Sequence, residues 1–263
     1  MIDVTKPDTF PKELADIVLT HIASISDNEL QKIKNCKIVH ETDVQCAIDR
    51  FLGVSAAYQM YQDKLIPIFN RYELICYHAT RVGNIETLLE DGLCSCMDKY
   101  EKRLIEFLRI ENVPEDQIRL AQELIRKEYL RKYRDNHHQI CFFTNYISLH
   151  DEEGSCAYDQ FCETVGGELA NWALENDLPN VWRVLRTKGI PVVIKFKLPF
   201  SMVANYHKDS LIFPFVSAVA AKHLWGFDYI IESDSSLIGD VPPSNIINIT
   251  EIKSDGKCHV QYP

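Results

Sequence analysis

A chain of 263 residues with 46% hydrophobic and 25% charged residues has the balance of a globular protein with room for one large core, or one core and a small accessory domain. A net charge of −10 argues against a general nucleic-acid coat, which needs a basic face, and no apolar run reaches the roughly 20 residues of a membrane helix. Met1-Ile-Asp-Val-Thr-Lys-Pro-Asp8 lacks the basic start and apolar core of a signal peptide, so an intracellular, cytoplasmic protein is expected.

The first seventy residues read as helical. Leu14, Ile17, Val18 and Ile22 form a stripe of helical spacing after Pro11, which suits a first helical position. Asp27 suits the cap of a short second helix, and Thr42 that of a longer one running into Tyr58–Tyr61. Pro67 should end or kink it. From Tyr72 the pattern changes to short strands separated by helices. Strands are predicted over Glu73–His78, Gln139–Thr144, Pro191–Leu198, Phe227–Glu232, Ile246–Thr250 and Lys257–Gln261, rich in Ile, Val, Phe and Tyr between Gly, Pro, Asn or Asp. Between the first two lies a helical insertion, 97–138. Its helices, Asp98–Ile110 and Pro114–Arg134, break at Asn112-Val-Pro114. Two further helices are predicted over Gly167–Asn176 and Pro179–Thr187. Strands and helices do not alternate regularly enough for a doubly wound sheet. The expected fold is α+β with a split, mostly antiparallel sheet, divided into a helical segment or cap (1–71) and a main domain (72–263).

Nine cysteines, odd in number and without Cys-x-x-Cys spacing, read as free buried thiols, and no metal site is expected. Arg126-Lys-Glu-Tyr-Leu-Arg-Lys-Tyr-Arg134 holds five basic residues with one acid, followed by His137 and His138. Such a run is usually a solvated helix face, with an anion-binding role the alternative. The histidines suit loop or helix-end positions. Trp172, Trp182 and Trp225 read as core contacts. No Walker loop, Gly-x-Gly-x-x-Gly or nucleophile elbow is present.

The most informative stretch is Tyr77-His-Ala-Thr-Arg81, an apolar strand that delivers polar residues at its end. A short helix follows, with Ile85, Leu88 and Leu89 on one face and Gly92 as its stop. One reading is a satisfied core histidine before a capped helix; the other is a ligand-binding edge. The spacing from His78 through Asn84 to Gly92-Leu93 resembles the first motif of the poly(ADP-ribose) polymerase-like ADP-ribosyltransferases. A second stretch is similar to that family's next motif: Phe142 in the strand Ile140–Thr144, then, beyond the loop His150–Gly154, Ser155-Cys-Ala-Tyr158. Here the loop is several residues longer than in the family.

The resemblance implies a fold of the ADP-ribosyltransferase type and NAD as substrate. His78 would bond a ribose hydroxyl and the backbone at Ala79 the carboxamide. Thr80 supplies the family's hydroxyl, and Arg81 would reach a phosphate or serve as a surface residue. Ser155 and Tyr158 would hold the nicotinamide. Loss of nicotinamide leaves an oxocarbenium-like ribose, so a carboxylate must stabilise it. Glu168, in Val165-Gly-Gly-Glu, and Glu232, at the end of Phe227–Glu232, are the leading candidates, ahead of Asp228. A first-turn acid favoured by the helix dipole is the plain reading of Glu168. The implied activity is mono-ADP-ribosyl transfer to an unknown acceptor, protein or nucleic acid. The alternatives are an inactive transferase-fold binding module or an NAD glycohydrolase. The insertion is expected near the cleft mouth, where its basic run would meet the acceptor.

Overall fold

The computed structural model describes residues 1–4, 6–36, 47, 56–133, 139–144, 164–205, 208–226, 228, 234–252 and 258–262. In chain order these form α1 (Lys12–Ser24), α2 (Asp27–Lys34), α3 (Ala56–Phe69), β1 (Glu73–Val82), α4 (Ile85–Asp91), α5 (Met97–Ile110) and α6 (Glu115–Lys132). There follow β2 (Ile140–Phe143), α7 (Gly167–Leu174), α8 (Pro179–Thr187), β3 (Ile190–Pro199), α9 (Lys208–Trp225), β4 (Asp234–Leu237), β5 (Ile246–Ile252) and β6 (Cys258–Tyr262). The class is α+β. Six strands form one sheet in the order β4-β2-β1-β3-β5-β6. The β1–β2, β3–β5 and β5–β6 pairs run antiparallel.

The contacts divide the chain into two units, Met1–Ile75 with Leu198–Ser235, and Cys76–Lys197 with Ser236–Pro263. The expected helical segment 1–71 therefore shares its unit with a later stretch of chain. In this first unit α1, α3 and α9 pack on one another. Leu14, Val18 and Ile22 are buried as their spacing predicts, with Ile17 at the edge of the stripe. The Phe69 ring meets Phe215 edge-on at 5.1 Å and Phe200 at 4.9 Å.

Three local readings change. The cap of α2 is Ser26, not Asp27: its hydroxyl oxygen accepts from the Glu29 amide at 3.4 Å and its hydroxyl lies 3.4 Å from the Glu29 carboxylate, to which it donates. Helix α3 runs through Pro67 and ends at Phe69. The sequence reading assigns no element to α9, because it is apolar all round and shows no period to read. Leu211, Ile212, Phe215, Val216, Val219 and Leu224 are all buried, and Pro214 lies within the helix. The helix predicted from Thr42 and the strand predicted over Phe227–Glu232 fall largely outside the described residues.

The second unit carries the insertion. Helices α5 and α6 form as predicted, broken at Asn112 (φ 59°), and bury Leu104, Phe107, Leu108, Ile118, Ala121 and Ile125. Leu169, Ala170 and Leu174 of α7, with Val181 and Leu185 of α8, complete that core. Helix α4 is capped by the Asn84 side chain, which accepts from the Glu86 amide at 2.8 Å. Gly92 stops it, as expected, at φ 73°. A Cβ on Gly92 would lie 2.0 Å from the Val241 carbonyl oxygen, so close approach demands glycine as much as the dihedral does. Ile85 and Leu88 are buried, whereas Leu89, expected on the same face, is 38% exposed.

Candidate functional site

Strand β1 extends past its predicted end at His78 to Val82, so His78, Ala79, Thr80 and Arg81 lie within it. Their segment lines a cavity of about 350 Å³ in the second unit. Leu88 of α4, Tyr100, Arg103 and Phe107 of α5, Tyr133, Cys141 of β2, and the turn Val165–Leu169 complete the wall. The structure thus brings together the His78–Arg81 segment and Glu168. The insertion lines the cavity too, as expected from its place in the chain.

His78 is half-buried, and its Nδ1 lies 2.7 Å from the Cys141 carbonyl oxygen. A carbonyl can only accept, so the bond puts the ring proton on Nδ1 and leaves Nε2 as an acceptor. Burial pushes the imidazole below its usual 6.5, outweighing the carbonyl's opposite pull. His78 is therefore a neutral acceptor at neutral pH. Thr80 is half-buried and Ala79 buried, both on the cavity wall.

Arg81 lines the cavity and is anchored through one guanidinium nitrogen. Nη1 donates to the carbonyls of Gly189, at 3.2 Å, and Lys188, at 3.4 Å, just past the end of α8. Unsatisfied carbonyls at a helix C-terminus attract a cation, which explains the placement.

Glu168 stands in the first turn of α7, behind Gly166 (φ 90°) and Gly167 (φ 61°). The Tyr100 hydroxyl donates to the Gly166 carbonyl at 2.7 Å, and a Cβ on Gly166 would sit 2.7 Å from that hydroxyl oxygen. Gly166 thus makes room for Tyr100, whose phenol is pushed well above its usual range by burial. The Glu168 carboxylate lies 3.2 Å from Lys132 Nζ, and that ammonium sits 3.8 Å from the centre of the Trp172 ring.

Phe142 lies elsewhere. Its ring is fully buried and meets Phe196 edge-on at 6.3 Å, so it belongs to the core and is not part of the cavity wall. Asp228 pairs with Lys222 at 2.9 Å and does not line the cavity. Ser155, Tyr158 and Glu232 lie outside the described residues.

The basic run is largely paired. Arg126 holds the buried carboxylate of Glu101 through Nε and, at 2.6 Å, Nη2. Arg131 pairs with Glu128, and Lys132 with Glu168. The paired side chains, with Arg126 and Arg131 exposed, fit the solvated helix face that such a run usually forms, and the pairing weighs against the alternative, an anion-binding strip. The carboxylates came from α5, α7 and the run's own acid, and only Glu128 was adjacent in sequence.

Sequence reasoning passed over Tyr100, Arg103 and Phe107. Arg103 donates to Asp91 at 2.8 Å, holding that carboxyl below its usual range, and also contacts Cys94 Sγ at 3.3 Å. The spacing of Tyr100, Arg103 and Phe107, three and four residues apart on α5, was the signal that places them on one helix face. Among the described residues no three His, Cys, Asp or Glu side chains gather as a metal-binding group, and no helix is long and apolar enough to cross a membrane. No family model, curated protein or solved structure matches the chain.

Proposed function

We propose that this protein is an ADP-ribosyltransferase with a fold of that type, cleaving NAD at the nicotinamide–ribose bond and passing one ADP-ribose to a macromolecular acceptor. The supporting observation is that His78 and Thr80 from one stretch of sequence and Glu168 from another line one cavity. At about 350 Å³ it falls at the small end of small-molecule sites, enough for the nicotinamide-riboside half of the dinucleotide. Tyr100, Phe107 and Tyr133 offer aromatic surface to a flat cationic ring.

In this reading Nε2 of His78 accepts from a ribose hydroxyl, and the resemblance gives Ser155 and Tyr158 the nicotinamide. The glycosidic C–N bond breaks with its electron pair on the ring nitrogen. Glu168, with Glu232 as the rival, stabilises the positive charge that develops on ribose. The acceptor's lone pair then closes the new bond, and its proton leaves to solvent or the carboxylate.

A second reading, an inactive binding module, is favoured by the engagement of Glu168 with Lys132 and of Arg81 with backbone carbonyls. Labelled NAD decides between them. Nicotinamide release that drops about 100-fold or more in Glu168→Gln, with the NAD-induced thermal shift kept, supports the enzyme. A thermal shift without release supports the module. A drop in Glu232→Gln alone transfers the acid role. Neither release nor shift removes both readings. Analysis of the product, free ADP-ribose or an acceptor adduct, separates a glycohydrolase from a transferase.

A further inference from the structure

We propose that Lys132 is a built-in mask on Glu168, holding the carboxylate at the cavity rim and away from whatever occupies the cavity. The inference rests on the transferase reading for its catalytic consequence, whereas the mask itself is a matter of contacts. Lys132 Nζ lies 3.2 Å from the Glu168 carboxylate and 3.8 Å from the centre of the Trp172 ring. Glu168 and Trp172 stand four residues apart on α7, so one turn of that helix presents an acid and an aromatic face to the same ammonium.

Isolated surface ion pairs are weak because two flexible side chains must be ordered and water screens the charge. Here Glu168 is 49% exposed, but Lys132 is only 29% exposed, and the indole face holds its ammonium in place. Both helix ends act in the same sense. Lys132 closes α6, where a cation is favoured, and Glu168 opens α7, where an anion is favoured. Tyr133, the next residue after Lys132, lines the same cavity as Glu168, so the contact ties the cavity wall to the end of α6. A carboxylate needed in a cavity but held by an anchored cation is restrained. Loss of the lysine charge, by substitution or by acylation of Nζ, releases it.

The test compares the full chain with Lys132→Met, Lys132→Arg and Trp172→Ala. Glu168 is labelled with a water-soluble carbodiimide and a small amine, and read by peptide mass spectrometry against the exposed Glu175. Nicotinamide release from NAD is followed in parallel. The mask predicts several-fold faster labelling of Glu168 and several-fold faster release in Lys132→Met, a smaller gain of both in Trp172→Ala, and wild-type behaviour in Lys132→Arg. Unchanged labelling in Lys132→Met overturns the mask. Faster labelling with slower release overturns it as well, because Lys132 then positions the acid. Faster labelling with no release from any protein leaves the mask standing and removes the catalytic role of Glu168. Should Lys132→Met fail to fold, the outcomes for Trp172→Ala decide the question in the same way.

Discussion

At the scale of single residues, His78 concentrates the physics of the site. Its histidine identity was legible as a candidate, but its state was not. The neutral form follows from burial, which outweighs the opposing pull of the Cys141 carbonyl; that carbonyl, far along the chain, fixes only which ring nitrogen carries the proton. Because the folded value lies below the unfolded 6.5, the unfolded chain binds more protons between the two. Stability from this group is therefore complete above 6.5 and is lost as pH falls towards the folded value. His21 shifts in the same direction, also through burial, with help from Lys64. Thermal midpoints recorded from about pH 8 down to about pH 5 should fall on the acid side, and less steeply in His78→Gln. Equal slopes in the two proteins would show that His78 is not held neutral by the fold.

At the scale of elements, α5 and α6 were placed within a few residues from spacing alone, yet the pairing between them was hidden. Glu101 carries a carboxylate on a helix whose neighbours in sequence are also charged, and its 5% exposure marks it as part of the interface. Arg126 and, at 3.2 Å, Gln122 satisfy it from α6. Removing the guanidinium leaves a buried acceptor without its cation, normally a cost of several kcal/mol. Arg126 is 57% exposed, so water screens part of the pair and the expected loss in Arg126→Met is about 2 kcal/mol. Arg131→Met, in an exposed pair within one helix, should leave the midpoint unchanged. Calorimetry of both variants checks the contrast, and equal midpoints would sink it.

At the scale of the whole molecule, the formal charge of −10 and the pairing of Arg126, Arg131 and Lys132 point the same way. A nucleic acid needs free cations to displace its counterions. Duplex or single-stranded oligonucleotides should show no salt-dependent anisotropy change with this protein near physiological ionic strength. Saturable binding that weakens steeply with salt would show that a basic surface exists after all and would restore nucleic acid as an acceptor.

Amino-acid order by itself determined what depends on near neighbours. The α+β class, the stop at Gly92, the break at Asn112–Pro114 and the bounds of Pro179–Thr187 all follow from caps, periods and punctuating residues acting within a few positions. Glu168 and the His78–Arg81 segment were legible as candidates because polar residues and paired glycines interrupt apolar patterns there. Their meeting in one cavity was decided by tertiary structure, as was the removal of Phe142 to the core, since both depend on which strand and helix faces pack together. Helix α9 escaped notice because burial on every side erases periodicity. The partners of the basic run escaped for a related reason: a charge seen in sequence says nothing about the opposite charge that the fold sets beside it.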